Sequence, residues 1–425
     1  MALRYPVSRA GALPAGGRGP EEPVLQSLGP TDDERVLPPG RLSFTISNRR
    51  GIIQSGDMLF AQLSARDPAS IAGAHHRFLR HPDMPRAVFA RSWELLHAGG
   101  SAAAYVKNLS ADGRFFWVFS AVIPVRDGHV AIRSAPRGPL FGPVSAAYRR
   151  LHAVERQGEG MAAQLARMDG ELAALGFPDF KSFMARVLQS ETAHLPADTG
   201  SPGLVRSEIV ELRSKIAGLD RAQRELAEAV RALHLIPTNM RIIASRLEPS
   251  GGPVSAIADR YKHDSAELIA RMIDGQSIRN GSAAPLIEVL DDMLIHDAII
   301  RLLTAAAGQA EGQAESQGGF GLHSGAQAAG LMRASCSAPP EGITVLTPAE
   351  LRMRLHQVRH GAEAVIRLMV GLEQVRILGE VESSRVRDDD QGLSAVVARL
   401  RAFHDEVRER LRPMMLLLRH LDVAV

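Results

Sequence analysis

The rhythm of apolar and polar positions changes twice along the chain. Residues 1–40 have none, only Pro, Gly and Glu without an apolar period, which is the composition of a disordered arm. From residue 42, short apolar runs alternate with turn signals. Runs over 42–46 and 52–54 flank Asn48-Arg49-Arg50-Gly51, a hairpin turn by composition. Short helical stretches over 57–64 and 68–73 follow, and a helix over 86–97 stops at Gly99-Gly100. Runs over 105–109, 114–125 and 129–134, with Asp112-Gly113 as a tight turn between the first two, complete an antiparallel sheet of about five strands. Residues 41–135 thus read as one small sheet domain carrying short helices.

Beyond the breaker Ala135-Pro136-Arg137-Gly138-Pro139 the period lengthens to that of a helix. Connecting helices are expected over 144–175 and 180–189, within a segment 144–200 that ends in a Pro- and Gly-containing linker. Val205, Ile209, Leu212, Ile216, Leu219, Gln223, Leu226, Val230 and Leu233 then step by four and three, a heptad seam. Such a seam pairs with another helix, either in the same chain or in a homodimer. The spacing runs on through Ile236, Met240, Ile243 and Leu247, breaks at 249–253, and resumes at Val254, Ile257, Tyr261, Leu268 and Met272. Together with a helix over 285–307, this makes residues 204–307 a helical hairpin or coiled coil.

Residues 308–343 are polar, Gly-rich and aperiodic, and read as a flexible linker. Thr347-Pro348-Ala349-Glu350 has the form of a capping box, opening a helix toward residue 384. A last helix over 393–420 completes a C-terminal helical segment, 347–425. The fold class is α+β: an N-terminal sheet domain followed by an all-α region.

Composition sharpens this picture. The chain has 425 residues, room for two or three domains. Its aromatics, 4% of the total, cluster in the first third, while Ala, Leu, Arg and Glu dominate downstream as helix formers do. A net charge of +3, without a basic stripe interleaved with aromatics, gives no nucleic-acid footprint. The single cysteine, Cys336, excludes an intramolecular disulfide and fits a reducing, cytoplasmic compartment. No run reaches the roughly 18 apolar residues of a membrane span. No phosphate loop, dinucleotide fingerprint, zinc motif or nucleophile elbow occurs, so no enzyme is expected. The acidic run Asp388 to Asp390 reads as a solvated loop and not a metal site.

Candidate chemistry centres on Arg80-His81-Pro82-Asp83-Met84-Pro85. Two prolines fix φ and deny the loop a regular helix or strand, so His81 and Asp83 are held rigidly. A base with its orienting carboxylate is one reading of that pair; a structural loop is the other. Trp93 reads as a core aromatic on an amphipathic helix or as a ligand wall, and Asn108 as a strand-end cap or a ligand contact. His75-His76 reads as a surface pair or as a source of an axial haem ligand.

With Trp93, Val106-Lys107-Asn108, Gly113 and Trp117-Val118, the hexapeptide makes residues 42–133 resemble the PAS domain of bacterial aerotaxis receptors. The resemblance implies an antiparallel PAS sheet that holds FAD noncovalently and reports its redox state. Arg80, His81, Asp83, Trp93 and Asn108 are the cofactor-binding candidates it carries over. Asp57, within Gly56-Asp57-Met58-Leu59-Phe60, joins them at the position where the family has Asn. A second family Trp falls within Ala102-Ala103-Ala104, which removes one aromatic face for a flavin. Haem is the alternative cofactor.

Residues 239–259 also resemble the tip of the chemoreceptor cytoplasmic hairpin at Asn239, Ile242, Ala244, Arg246, Gly251, Ala258 and Asp259. Ile243 and Pro249 replace family Glu residues that dock the chemotaxis kinase and its adaptor, so normal docking of those partners is not expected. The reading is a redox or oxygen signal transducer that forms a homodimer. The competing one is an interaction and oligomerisation scaffold with an apo PAS domain.

Overall fold

A computed structural model describes residues 28–196, 206–231, 242, 252–273, 283–314, 319–385 and 391–421. They belong to two compact units, one reaching Glu171 and including Leu302–Ala338, the other formed by Leu172–Arg301 and the chain from Pro339 onward.

The first unit is built on an antiparallel sheet. Its strands are β1 (Ser43–Asn48), β2 (Ile53–Asp57), β3 (Ala102–Leu109), β4 (Phe115–Val125), β5 (Gly128–Ser134) and β6 (Gly319–Gly321), in the order β3-β4-β5-β1-β2-β6. The Asn48 side-chain oxygen accepts from the backbone N–H of Arg50 and Ile52, and Gly51 takes φ +78°, which closes the β1–β2 turn. Gly128 lies against β1, where a Cβ would stand 1.9 Å from the Ser47 carbonyl oxygen. Helices α1 (Met58–Ser64), α2 (Pro68–Ile71) and α3 (Arg86–His97) and a 3₁₀ turn (His76–Leu79) separate β2 from β3. Ile53, Phe60, Ile71, Leu79, Phe116, Val118 and Phe320 form one buried cluster, each side chain worth about 1.5–3 kcal/mol on burial. Helices α4 (Phe141–Glu155) and α5 (Met161–Ala174) follow the sheet.

Three features depart from the sequence pattern. Residues 28–40, expected within the disordered arm, lie along the β3–β4 hairpin. Leu28, Thr31 and Arg35 donate backbone hydrogen bonds to the carbonyls of Ala111, Gly113 and Phe115 (3.0, 2.8 and 2.7 Å), and Leu37 is buried. The helix expected over 144–175 is two, because Gly158, at φ +87°, turns the chain between α4 and α5. The linker expected over 308–343 contains structure: α9 (Ala284–Ala314) runs into it, and β6 and α10 (Gly325–Ala334) follow, the latter opened by a Ser324–Gln327 capping box. The sheet therefore has a sixth strand.

The second unit contains α6 (Phe180–Glu191), α7 (Arg206–Arg231), α8 (Gly252–Ile273), the first part of α9, α11 (Pro348–Arg385) and α12 (Gln391–Leu421). Helix α7 packs on α12 and α8, and α11 packs on α8 and α12. From Ile209 to Leu226 the heptad seam is the buried face of α7, while Val205, Leu233 and the continuation Ile236, Met240 and Leu247 lie outside the described residues. Ile209, Leu212, Ile216, Leu219 and Leu226 are buried, Gln223 is half-buried, and Ala222 and Ala229 join the core. The seam thus finds partners within the chain. Thr347 caps α11 reciprocally with Glu350. Of the hairpin-tip positions, Ala258 and Asp259 lie on α8; Asn239, Ala244, Arg246, Gly251, Ile243 and Pro249 lie outside the described residues, as do 1–27, the linker 197–205 and the run Asp388 to Asp390. No helix among the described residues is long and apolar enough to cross a membrane.

Candidate functional site

Strand alternation puts one set of side chains on one face of the sheet. Asn108 and Val106 come from β3, Ser120 and Val122 from β4, His129 and Arg133 from β5, and Thr45 and Ser47 from β1. Opposite them stand the 3₁₀ turn with Arg80, and the α3 face formed by Phe89, Ser92, Trp93 and Leu96, spaced as one helical stripe. A cavity of about 100 Å³ remains between.

The hexapeptide loop is tied to β3. Arg80 and Asn108 form an isolated antiparallel bridge, and His81 N–H donates to the Lys107 carbonyl at 3.3 Å. The Arg80 guanidinium lies over the Phe89 ring, 3.6 Å from its centroid, with its buried Nε unpartnered. Burial lowers its pKa. Trp93 stacks on His76 and His97 at centroid distances of 5.6 and 5.3 Å, and meets the edge of His129 at 6.0 Å. His76 bonds Gly51 O through Nδ1 at 3.1 Å, and burial, with His75 beside it, lowers its pKa to about 4.

Arg80, Trp93 and Asn108 therefore meet at the cavity, while the other three expected site residues stand elsewhere. His81 is buried beside it, and its Nδ1 accepts from Asp83 N–H at 3.1 Å. Burial, then Lys107, lowers the His81 pKa to about 4, so its 3.4 Å approach to the Asp83 carboxylate is not an ion pair near neutral pH. Asp83 itself is exposed and pairs with Lys107 at 2.8 Å. The loop polar pair thus braces the loop against β3.

Asp57 is the N-cap of α1. One carboxylate oxygen accepts from Phe60 N–H, Phe44 N–H and the Ser43 hydroxyl at 3.1, 3.2 and 2.9 Å, and the other is buried without a partner. Burial raises its pKa to about 6 against the pull of these bonds and of Arg133.

Sequence reasoning missed Arg133. It is 6% exposed, donates to Thr45 Oγ1 and the Ala131 carbonyl at 3.0 and 3.3 Å, and lies over the Phe60 ring at 4.7 Å. Burial lowers its pKa to about 10. The signal was present: His129, Ala131 and Arg133 alternate with Val130 and Ile132, a mixed face against an apolar one.

Among the described residues no group of three His, Cys, Asp or Glu is arranged to hold a metal. A larger cleft of about 420 Å³ lies between α11 and α12, lined by Ile366, Met369, Leu411 and Met415, and the Glu373 and His404 beside it already bond each other.

No family model matches the chain. Over 135 residues, 31% of its length, it is 33% identical to the aerotaxis receptor of Escherichia coli strain K12. That stretch is 26% of the receptor, so the chain spans about a quarter of the relative it matches. The likeness supports a distant relationship to that receptor over the matched stretch.

Proposed function

We propose that this chain is a signal transducer of the aerotaxis kind. The sheet unit is its PAS-type input module, and the helices that follow carry the state of that module as a change in packing. The observation that carries the reading is the meeting of Arg80, Trp93 and Asn108 at one cavity, from a loop, a helix and a strand that the sequence separates. These are three of the residues through which the chain resembles aerotaxis-receptor PAS domains. Deletion of the gene is expected to abolish banding of cells in an oxygen gradient, and an Asn108→Ala chain is expected not to restore it. Normal banding in the deletion strain overturns the proposal.

Whether the cavity takes FAD turns on its lining and its size. The lining suits a flavin in kind: Arg80 offers an unpartnered Nε and Trp93 a flat wall. It does not suit one in size. A cavity of about 100 Å³ holds roughly seven to ten waters, below the ~300 Å³ at which pockets for organic ligands begin. A three-ring flavin enters only if Trp93 leaves His76 and His97. Haem meets the same limit, and His76 is already engaged by Gly51 and Trp93. The purified full chain is accordingly expected to be colourless and to release no flavin on boiling; a flavin absorption band restores the FAD reading.

The scaffold reading is favoured by a separate observation. On α11, Val370, Ile377 and Val381 are 55%, 47% and 44% exposed at steps of seven and four, an apolar row suited to association with another helix.

A further inference from the structure

The cavity on the sheet face is lined by Arg77, Arg80 and Arg133 and by no carboxylate. Arg133 is the telling residue. A guanidinium carries five donor N–H groups, yet the two hydrogen bonds of Arg133 both leave from Nη1 and both end on neutral oxygens. Among the described residues no carboxylate comes within 4.0 Å of Arg133 or of Arg80. Arg80 adds a buried Nε with no acceptor. A buried cation without a directly bonded counter-charge is costly, because desolvation is only partly repaid by a carboxylate farther off.

Two carboxylates offset these cations only from a distance, Asp57 acting on Arg133 and Glu155 on Arg80, and neither hydrogen-bonds its guanidinium. His76 and His129 bring no negative charge in either protonation state, and burial lowers the pKa of both. Asn108, Ser120, Thr45 and Ser47 add neutral hydrogen-bonding groups, while Val106, Val122, Leu96 and the Trp93 ring make the remaining wall apolar.

We propose that the cavity binds a small organic carboxylate, its anionic end held by Arg80 and Arg133 and its short carbon frame laid against Trp93. Planar, forked donors match a carboxylate with two parallel hydrogen bonds. The room available suits a molecule of a few carbons. The inference rests on the reading of this cavity as the sensory site and assigns it a ligand class.

The test is calorimetric titration of the purified full chain with succinate, pyruvate and inorganic phosphate at constant ionic strength. Saturable one-to-one binding of a carboxylate, with a raised melting temperature, is expected. Arg80→Gln should weaken it at least tenfold. Arg133→Met should abolish it while leaving the melting temperature of the unliganded protein equal or higher, since it removes a buried charge that no hydrogen-bonded carboxylate compensates; a merely structural arginine would lower it on replacement. If Arg133→Met does not fold, Arg80→Gln and Asn108→Ala carry the decision.

Binding of neither carboxylate, binding of phosphate alone, or carboxylate binding unchanged in the variants overturns the proposal. A deletion strain that bands normally, with carboxylate binding intact, removes the aerotaxis reading and leaves this site. Failed titrations with a deletion phenotype do the reverse.

Discussion

Arg301 and Arg133 are buried guanidiniums, one in each unit, 8% and 6% exposed, and their surroundings differ. Arg301 pairs with Asp297 at 2.8 Å and donates to the carbonyls of Leu195 and Pro196 at 3.3 and 3.2 Å. In the same unit Arg213 binds Asp291 through two nitrogens, with the Ser182 hydroxyl also on that carboxylate. Glu373 gathers Arg376, Arg408 and His404, and His404 in turn meets the Tyr261 hydroxyl at 3.0 Å. The sheet unit instead leaves Arg133 without a hydrogen-bonded carboxylate, with Asp57 acting on it only from a distance, Arg80 Nε without an acceptor and one Asp57 oxygen without a donor. Paired burial fixes how helices pack, whereas unpaired burial persists at a cost and marks the place where a ligand would be repaid for binding.

The two units can be followed separately, because both tryptophans, Trp93 and Trp117, belong to the sheet unit. Fluorescence therefore reports that unit, and far-ultraviolet circular dichroism weights the helices. The largest effect is expected from Asp291→Ala, which strands Arg213. It should cost about 3–5 kcal/mol in the dichroism-detected denaturant transition. A loss below 1 kcal/mol, by the same scale, would place that pair among the dispensable ones.

Next comes Asp57. Its pKa rises from 3.8 to about 6 on folding, so between these values the folded chain keeps a proton that the unfolded chain has released. The contribution of this residue to stability is thus greatest in acid and falls as pH climbs through that window, by up to about 3 kcal/mol. Asp57→Asn removes the slope. The fluorescence-detected gap between variant and parent should widen in favour of Asn from about pH 4 to about pH 7, and a constant gap would refute the assignment. The smallest effect is that of Thr347→Ala, about 1 kcal/mol in the dichroism transition from loss of the α11 cap, with fluorescence unmoved.

What the sequence disclosed follows the range of the forces involved. Pro85 and Gly99-Gly100 delimit α3, and Asn48 with Gly51 shapes the first hairpin, because each acts on its own few bonds. Arg80, Trp93 and Asn108 were legible as a set only through a resemblance. The direction in which His81 and Asp83 point was not legible, since it is fixed by the Arg80–Asn108 bridge and by Lys107, across a gap the sequence does not measure. Gly319-Phe320-Gly321 reads as linker because its partner strand is remote: Ser55 and His323, bonded at 2.9 Å, lie 268 positions apart. Residues 28–40 read as an arm for a like reason, as their acceptors belong to the β3–β4 hairpin.

That remote strand bears on how the protein is made. Ile53 bonds Gly73 and Ala74, but from Gln54 to Asp57 the outer edge of β2 has open backbone groups until Phe320 leaves the ribosome, so the nascent sheet spends most of synthesis with a margin on which a neighbouring chain can pair. Any truncation ending before Gly319 keeps that margin bare for good, and such fragments are the ones that should clump.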